Sequence, residues 1–202
     1  MRFLLVLALA LAVAVPAIAA EPMPPLSGPA EPRVEPQLGE DGIYHQDWFA
    51  QSFLDLREDH AEARAAGKRF AIFFEQRGCI YCAKMHKEVL SLRYINDYVR
   101  ENFHIVQLDL WGSREVTDFD GTVLPEKKLA ERWGILFTPT VIFFKDELPD
   151  DAKWGTPLEV ARMHLGMEPD TFYDMFVWVR TKTYQTDPNF QRFHIQRYEQ
   201  RG

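Results

Sequence analysis

Cysteine is scarce in this chain: Cys79 and Cys82 are the only two among 202 residues, and two residues separate them. Two cysteines allow at most one structural disulfide. A bridge between residues this close would close almost no loop, so on the chain-entropy argument it would stabilise the fold little. A purely structural role is therefore a weak explanation for the pair.

Beyond its first twenty residues the chain also lacks an apolar run long enough to span a bilayer, which takes about 20 residues. The run that follows Arg2 has thirteen apolar residues and ends at Pro16. The Ala-Ile-Ala pattern that ends at Ala19 has the small residues that signal peptidase reads. We expect residues 1–19 to be a cleavable secretory signal, with cleavage after Ala19 in preference to Ala20. An uncleaved membrane anchor is the alternative.

Basic residues are fewer than acidic ones, and the formal net charge is -7 at pH 7. An acidic protein is poorly suited to a nucleic-acid or anionic-lipid surface as its main partner. With the export signal, this favours a soluble protein of the periplasm.

Proline marks the next boundary, because six of the thirteen prolines lie within residues 20–40. Such a segment favours an extended tether. We expect residues 20–45 to be a proline-rich linker, residues 46–184 to be the folded domain, and residues 185–202 to be a C-terminal tail.

Within the domain, segments with the apolar pattern of a β-strand alternate with segments that have the apolar pattern of an α-helix. This alternation predicts strands at 68–75, 103–110, 140–145 and 157–165. It predicts helices from Trp48 to near Gly67, over 79–90, 92–102 and 126–133, and within 170–184. Phe49, Phe53, Leu56 and Ala63 would form the buried face of the first helix. Residues 111–124 are expected to be a loop with a turn at Asp120-Gly121. The alternation indicates an α/β fold with a central sheet flanked by helices.

The two cysteines open the second of these predicted helices. Only a thiolate attacks a disulfide, so a redox-active cysteine needs a lowered pKa. The free N–H groups and the dipole of a helix N-terminus supply that at Cys79. Cys82 lies one turn further on, where it can attack a mixed disulfide formed on Cys79. Cys79 is then the nucleophile and Cys82 the resolving thiol.

The strand, the CxxC at a helix start and the downstream sequence "RWGILFTPTVIFFKDE" together resemble a thioredoxin-fold protein. The resemblance covers about residues 46–184 and implies a central mixed sheet, an N-terminal helix and a C-terminal helical extension. It also implies that Pro139 is cis and packs against the cysteine pair, and that Thr138 presents its backbone to a substrate. Among relatives, the chain resembles exported bacterial thioredoxin-like proteins of the SoxW and SoxS kind, associated with sulfur oxidation.

Three departures from the thioredoxin pattern stand out. Thioredoxin has a buried acid six residues before its first cysteine, where this chain has Phe73, and Glu75 is the nearest acid on the strand. It either substitutes for that acid or simply ends the strand. The residues between the cysteines, Ile80 and Tyr81, are not Gly-Pro. The segment between the CxxC and the cis-proline is longer, which the loop 111–124 accounts for.

Two nearby side chains have open interpretations. Arg77 either stabilises the Cys79 thiolate or is a solvated loop residue. His86 could join Cys79 and Cys82 in a site for Cu(I) or zinc. However, a closed zinc site needs four protein ligands and the other histidines show no ligand spacing. We therefore expect no metal and a partly exposed His86. Ala83 excludes a c-type haem, whose attachment motif needs histidine there.

The basic, aromatic-rich tail is either a docking surface or, as we expect, a terminal helix followed by a loosely ordered end. Trp111, at the start of the predicted loop, could reach the edge of the active site.

The sequence thus predicts a monomeric periplasmic thiol-disulfide oxidoreductase that needs no diffusible cofactor. The resemblance favours a reductase that acts on cysteine-containing exported proteins, including sulfur-oxidation components, with a membrane thiol donor. The residues themselves do not set the direction against an oxidase or isomerase. A non-catalytic binding module or thiol metallochaperone on the same fold is the alternative.

Overall fold

A computed structural model describes residues 22–149, 152, 158–164 and 168–201. The predicted signal peptide, residues 1–19, and both ends of the strand predicted over 157–165 lie outside these ranges. In the described part of the chain, no helix is long and apolar enough to cross a membrane.

The described residues contain eight strands and six α-helices. The strands are β1 (Gln37–Leu38), β2 (Tyr44–His45), β3 (Arg69–Glu75), β4 (Phe103–Asp109), β5 (Glu115–Thr117), β6 (Val123–Pro125), β7 (Thr140–Phe144) and β8 (Glu159–His164). The helices are α1 (Leu56–Ala65), α2 (Ile80–Lys84), α3 (Arg93–Asn102), α4 (Glu126–Arg132), α5 (Pro169–Arg180) and α6 (Phe190–Arg201). A π-helical turn, Met85–Val89, continues α2, and a 3-10 turn, Thr183–Gln185, follows α5.

The central sheet is mixed and has the order β4-β3-β7-β8. β3 pairs with β4 in parallel and with β7 antiparallel, and β8 pairs antiparallel with β7. β3 is apolar at almost every position because both faces of the sheet are covered by helices. This is the α/β fold with a central mixed sheet that the sequence predicts.

Alternate residues of β3 point into two separate cores. Phe73 faces the core that α3 and α5 cover, where Phe176 packs its ring against Phe73, Phe103 and Phe143. Ile72 and Phe74 face the other core, covered by α1 and α4. Phe73 is thus a packing residue at the position where thioredoxin has its buried acid.

The first helix begins eight residues later than predicted. The Asp55 side chain accepts hydrogen bonds from the N–H groups of Arg57 and Glu58, which is the capping that starts a helix at Leu56. Leu54, just before the cap, has a left-handed φ of 63°. Phe53, predicted on the buried face, is 99% exposed. The apolar spacing there resembled a helix, but Asp55 decides where the helix starts.

The loop predicted at 111–124 also differs, because β5 and β6 pair within it as an antiparallel hairpin. Its turn does contain Gly121, at a φ of 81° that favours glycine. The buried Asp118 accepts a hydrogen bond from the indole of Trp133 and pairs with Arg132 at 3.0 Å. These contacts from α4 and its end hold the hairpin against the domain.

The described part of the proline-rich segment lies against the domain. The N–H groups of Arg93 and Tyr94 donate to the carbonyls of Ala30 and Pro29. A Cβ on Gly28 would lie 2.6 Å from the Cβ of Tyr94, so this close approach requires glycine. The expected tether is therefore packed along the start of α3.

The C-terminal tail, expected to be loosely ordered after a terminal helix, forms α6 as far as Arg201. Its anchor is Asp174 of α5, which is fully buried and pairs with Arg197 and Arg201 at 2.6 Å each. Arg197 and Arg201 also donate to carbonyls of Pro25 and Leu26. Burial raises the pKa of Asp174, but hydrogen bonds from Arg201, Arg197 and His194 outweigh it and lower the pKa below the ordinary value.

Replacing this anchor, Asp174→Asn, is expected to lower the free energy of unfolding by about 3 kcal/mol, because the buried guanidinium of Arg197 loses its counter-ion. Urea unfolding at pH 7 measures this. Asp170→Asn, which removes the exposed partner of Arg201 at 3.5 Å, is the control and should change stability little. Equal effects of the two substitutions would show that the buried pair is not the anchor.

A separate prediction concerns Asp59, on α1, and the pH dependence of stability. Burial raises its pKa to about 6, with help from Glu62, Asp55 and Glu58 and against a hydrogen bond from Ser52. An acid with a raised folded-state pKa adds stability below its unfolded value of 3.8, and that stability is lost as the pH rises through about 6. Asp59→Asn should therefore stabilise the protein at pH 7, by up to about 3 kcal/mol.

The same variant should lose the gain in stability that the unsubstituted protein shows as the pH falls from 7 to 5. Thermal unfolding across this range is the measurement, with Glu101→Gln, an exposed acid, as the control. Parallel pH profiles for Asp59→Asn and the unsubstituted protein would contradict the raised pKa.

Candidate active site

The site lies where β3 ends and α2 begins. Gly78, at a φ of 73°, turns the chain after Glu75 so that Cys79 becomes the N-cap of α2. The Sγ atom of Cys79 accepts a hydrogen bond from the backbone N–H of Cys82 at 3.0 Å. The prediction that the helix opens at Cys79 is confirmed, and the same N–H can stabilise a thiolate after reduction.

Cys79 and Cys82 form a disulfide with an S–S distance of 2.08 Å. Their surroundings differ, because Cys79 is half-buried whereas Cys82 is 3% exposed. A partner in solution can thus reach the first sulfur and not the second. The two cysteines thus differ in how open they are to a partner.

Thr138 and Pro139 form the wall opposite Cys79. The Thr138–Pro139 peptide bond is cis, as the resemblance implied. The Thr138 hydroxyl donates to Cys79 Sγ at 3.4 Å, and that sulfur lies 3.5 Å from the Thr138 carbonyl oxygen. The register of β7 beside β3 brings these residues to the site, although 59 residues separate Cys79 from Thr138 in the chain.

Exposed apolar side chains surround this pair. Ile80 and Tyr81 are 80% and 56% exposed, and Trp111 is 69% exposed. The Trp111 indole donates to the side chain of Gln76, in the turn before Cys79, at 2.5 Å. Trp111 therefore reaches the edge of the site, as its position in the sequence suggested. Leu136 and Phe137, which precede Thr138, are also exposed, although nothing in the sequence predicted that they would belong to the site.

Glu75 and His86 are both fully buried below the CxxC. His86 Nε2 lies 2.9 and 3.1 Å from the two carboxylate oxygens of Glu75, and Gln107 donates to the same carboxylate at 2.9 Å. Glu75 therefore ends the strand and is also a buried acid, hydrogen-bonded to the histidine one turn beyond Cys82.

The expectation of a partly exposed His86 is wrong. In helical geometry, residues four apart share a face, so His86 lies one turn beyond the buried Cys82. The spacing of four residues from Cys82 to His86 was the signal in the sequence that places both on one helical face.

Arg77 binds elsewhere. Its guanidinium donates to the carbonyls of Asp41, at 2.7 Å, and Glu40. These carbonyls belong to the turn between β1 and β2, so Arg77 fastens this N-terminal hairpin beside the CxxC. The thiolate-stabilising interpretation gains no support from this geometry.

A metal site on Cys79, Cys82 and His86 does not fit either, because both ring nitrogens of His86 have hydrogen-bond partners in Gln46 and Glu75. Among the described residues, the histidine, cysteine and acid side chains whose ligand atoms lie within 4.8 Å of one another are Asp59, Glu62 and His104. That group lies on α1 and β4 and includes neither cysteine.

The fold and the disulfide-bonded CxxC define a thioredoxin-fold protein with a dithiol site. Residues 56–147 match the family model of a thioredoxin-like domain. A thioredoxin-fold protein from Helicobacter pylori is similar with a TM-score of 0.53 at 16% identity, over 66% of this chain and 86% of that one. At this identity the likeness shows the fold alone.

Two further solved structures are similar at a lower level. A thioredoxin from Thermus thermophilus has a TM-score of 0.44 at 24% identity, over 60% of this chain and 81% of its own. A DsbH oxidoreductase has a TM-score of 0.44 at 17% identity, over 71% and 94%. No curated protein matches the chain significantly in sequence.

After reduction, Cys79 should react with a maleimide at least tenfold faster than Cys82 at pH 7, because it is more exposed and lies at a helix N-terminus. Comparing Cys82→Ser, which leaves Cys79 free, with Cys79→Ser, which leaves Cys82 free, measures this by mass spectrometry. Both variants should react at similar rates in about 8 M urea, where the protein is expected to be unfolded and both thiols are exposed. Similar rates in the folded proteins would contradict the assignment of the two roles.

Proposed function

We propose that this protein is a periplasmic thiol-disulfide oxidoreductase that reduces disulfides in exported proteins. One observation carries the proposal. The half-buried Sγ of Cys79 is a helix N-cap facing Thr138, whereas Cys82 is buried one turn below. A structural staple needs neither this exposure nor this facing wall.

The reaction starts from the dithiol form. The Cys79 thiolate attacks one sulfur of the substrate disulfide, and the other substrate sulfur leaves as a thiolate that takes a proton from solvent. Cys82 then loses its proton and attacks Cys79 Sγ in the mixed disulfide. The Cys79–Cys82 disulfide forms, and the second substrate thiol is released. Two electrons pass from the protein to the substrate.

Glu75 is the proposed acceptor of the Cys82 proton. Cys82 is buried, so bulk water is poorly placed to take its proton. Glu75 is a buried carboxylate on the strand that leads into α2, and its partner His86 is one turn beyond Cys82. Glu75 would thus do what the acid at the position of Phe73 does in thioredoxin.

The exposed side chains around Cys79 suit a peptide substrate. Ile80, Tyr81 and Trp111 offer apolar contacts to residues beside a substrate cysteine. Thr138 and Pro139 would align the substrate backbone, as the resemblance to thioredoxin implies. No diffusible cofactor takes part.

The cellular setting belongs to the same proposal. Residues 1–19 would direct export, residues 20–45 would lead into the domain of residues 46–184, and residues 185–202 would close its C-terminus. The partners would be cysteine-containing exported proteins, including sulfur-oxidation components of the kind served by SoxW and SoxS. A membrane thiol protein would restore the dithiol, and the protein would act as a monomer.

The reduction potential of the Cys79–Cys82 pair tests the direction. Equilibration with glutathione buffers, followed by alkylation and mass spectrometry, should give a value near that of thioredoxin, about -270 mV. A value near about -120 mV would make the protein an oxidant and overturn the reductase.

Trapping tests the order of attack. Cys82→Ser should accumulate a mixed disulfide through Cys79 with a model disulfide protein and with periplasmic partners, because nothing resolves the adduct. Cys79→Ser should trap nothing under the same conditions, and the double variant serves as the blank. Non-reducing electrophoresis resolves the adducts, and adducts through Cys82 alone would refute the assigned order.

A further inference from the structure

A chain of hydrogen bonds runs from Trp48 to Glu75 beneath the CxxC. The contact at its Trp48 end determines which atom of each following pair donates and which accepts. The indole of Trp48, which can only donate, lies 3.1 Å from Asn96 Oδ1. Asn96 Nδ2 therefore donates, to the Leu90 carbonyl at 2.8 Å and to Gln46 Oε1 at 3.0 Å. The carbonyl can only accept, so both neighbours require the same orientation of the Asn96 amide.

The orientation of the Asn96 amide determines that of the Gln46 amide, and the Gln46 amide in turn determines the hydrogen bonding of His86. Since Gln46 Oε1 accepts, its Nε2 faces His86 Nδ1 as a donor, at 3.1 Å. A ring nitrogen that accepts a hydrogen bond carries no proton. His86 is then a neutral imidazole with its proton on Nε2, and Nε2 donates to the Glu75 carboxylate.

Glu75 receives donors from a second side as well. Gln107 Nε2 donates to Glu75 at 2.9 Å and to the Tyr44 carbonyl at 2.8 Å, and the carbonyl again fixes the amide. Gln107 Oε1 is left to accept from His45 Nδ1. Among the described side chains that bond to it, the Glu75 carboxylate therefore meets donors from both His86 and Gln107.

We infer that Trp48, Asn96 and Gln46 are positioning residues that hold His86 in its neutral Nε2–H tautomer and so keep Glu75 as the group that takes the Cys82 proton. With Nδ1 occupied, His86 can bind a second proton only if the Gln46 amide turns over, which would break its bond to Asn96. The inference rests on the proposed function for its catalytic consequence, but the tautomer is a property of the structure alone.

The proton step balances within this group. The S–H bond of Cys82 breaks, the proton binds a Glu75 oxygen, and the electron pair left on sulfur forms the bond to Cys79 Sγ as the substrate thiolate departs. If His86 were free to protonate, it would form an ion pair with Glu75, and the carboxylate would lose its readiness to take the Cys82 proton.

The titratable groups that face the pair come from two further elements, β4 and the N-terminal hairpin, and from the π-helical turn of His86 itself. Asp109 is the β4 neighbour of Glu75 in the parallel register. Tyr44, whose ring centroid lies 6.1 Å from that of His86, and His45 belong to the N-terminal hairpin. Lys87 lies over the outer side of the Tyr44 ring, 4.7 Å from its centroid. None of these contacts His86 Nδ1, so Gln46 decides its protonation.

The direct test is nitrogen NMR of the imidazole of His86 in the intact oxidised protein, which needs no variant. The spectrum at pH 6 and 7 should show a neutral ring protonated at Nε2. A ring protonated at Nδ1, or an imidazolium at pH 7, would overturn the inference.

Gln46→Met then removes the donor while keeping the bulk of the side chain. The nitrogen spectrum of His86 should no longer show the Nε2–H tautomer alone in this variant, because no donor faces Nδ1, and the rate at which Cys82 resolves a preformed mixed disulfide should fall about tenfold at pH 7, in the direction expected when a general base is lost. The maleimide reaction of Cys79 should change less than twofold. Gln51→Met, an exposed glutamine of the same loop, is the matched control and should match the unsubstituted protein in every readout.

The two hypotheses fail separately. If the unsubstituted protein exchanges no disulfides, the proposed function is lost while the tautomer is still decided by the spectrum. If exchange is normal but Gln46→Met changes neither the spectrum of His86 nor the rate at which Cys82 resolves the mixed disulfide, the positioning role is refuted and the function stands.

Discussion

The fully buried carboxylate of Glu75 is the constraint around which the functional end of the molecule is built. A charge removed from water is tolerated only when donors surround it. His86 supplies one from the helix of the cysteines, and Gln107 supplies another from β4. Those donors need partners in turn, which come from the N-terminal hairpin, the loop before α1, and α3. Satisfying one carboxylate thus ties five parts of the chain together.

This constraint explains why the segment before the domain is structured. The Tyr44 carbonyl accepts from Gln107, His45 donates to the same side chain, and Arg77 holds the hairpin turn from the other side. Further along, backbone bonds join Pro29 and Ala30 to the start of α3. A segment that reads as a tether by its proline content therefore covers the buried side of the site. On the opposite side, Ile80, Tyr81 and Trp111 stay exposed, which leaves Cys79 open to a partner.

Much of the architecture could be predicted because its signals are local. The apolar runs of β3, β4 and β7 mark strands covered on both faces, and their observed bounds lie within two residues of those predicted. The features that were missed depend on single polar contacts. Asp55 sets the start of α1, Asp118 holds the hairpin in the predicted loop, and Asp174 secures α6. Hydrophobic periodicity carries no information about such contacts.

The sequence by itself determined the chemistry of the site: two thiols one helical turn apart, a strand leading into them, and a threonine-proline pair to face them. The two thiols and the strand follow from residue type and spacing, whereas the facing threonine-proline pair followed from the resemblance to thioredoxin. Only the tertiary structure decided that Glu75, His86 and Gln46 meet in one buried hydrogen-bonded group. The directions of these bonds depend on which atoms donate and which accept across elements far apart in the chain, as in the bond from Gln107 to the Tyr44 carbonyl, 63 residues away. Such directions arise only when the packed elements bring the partners together.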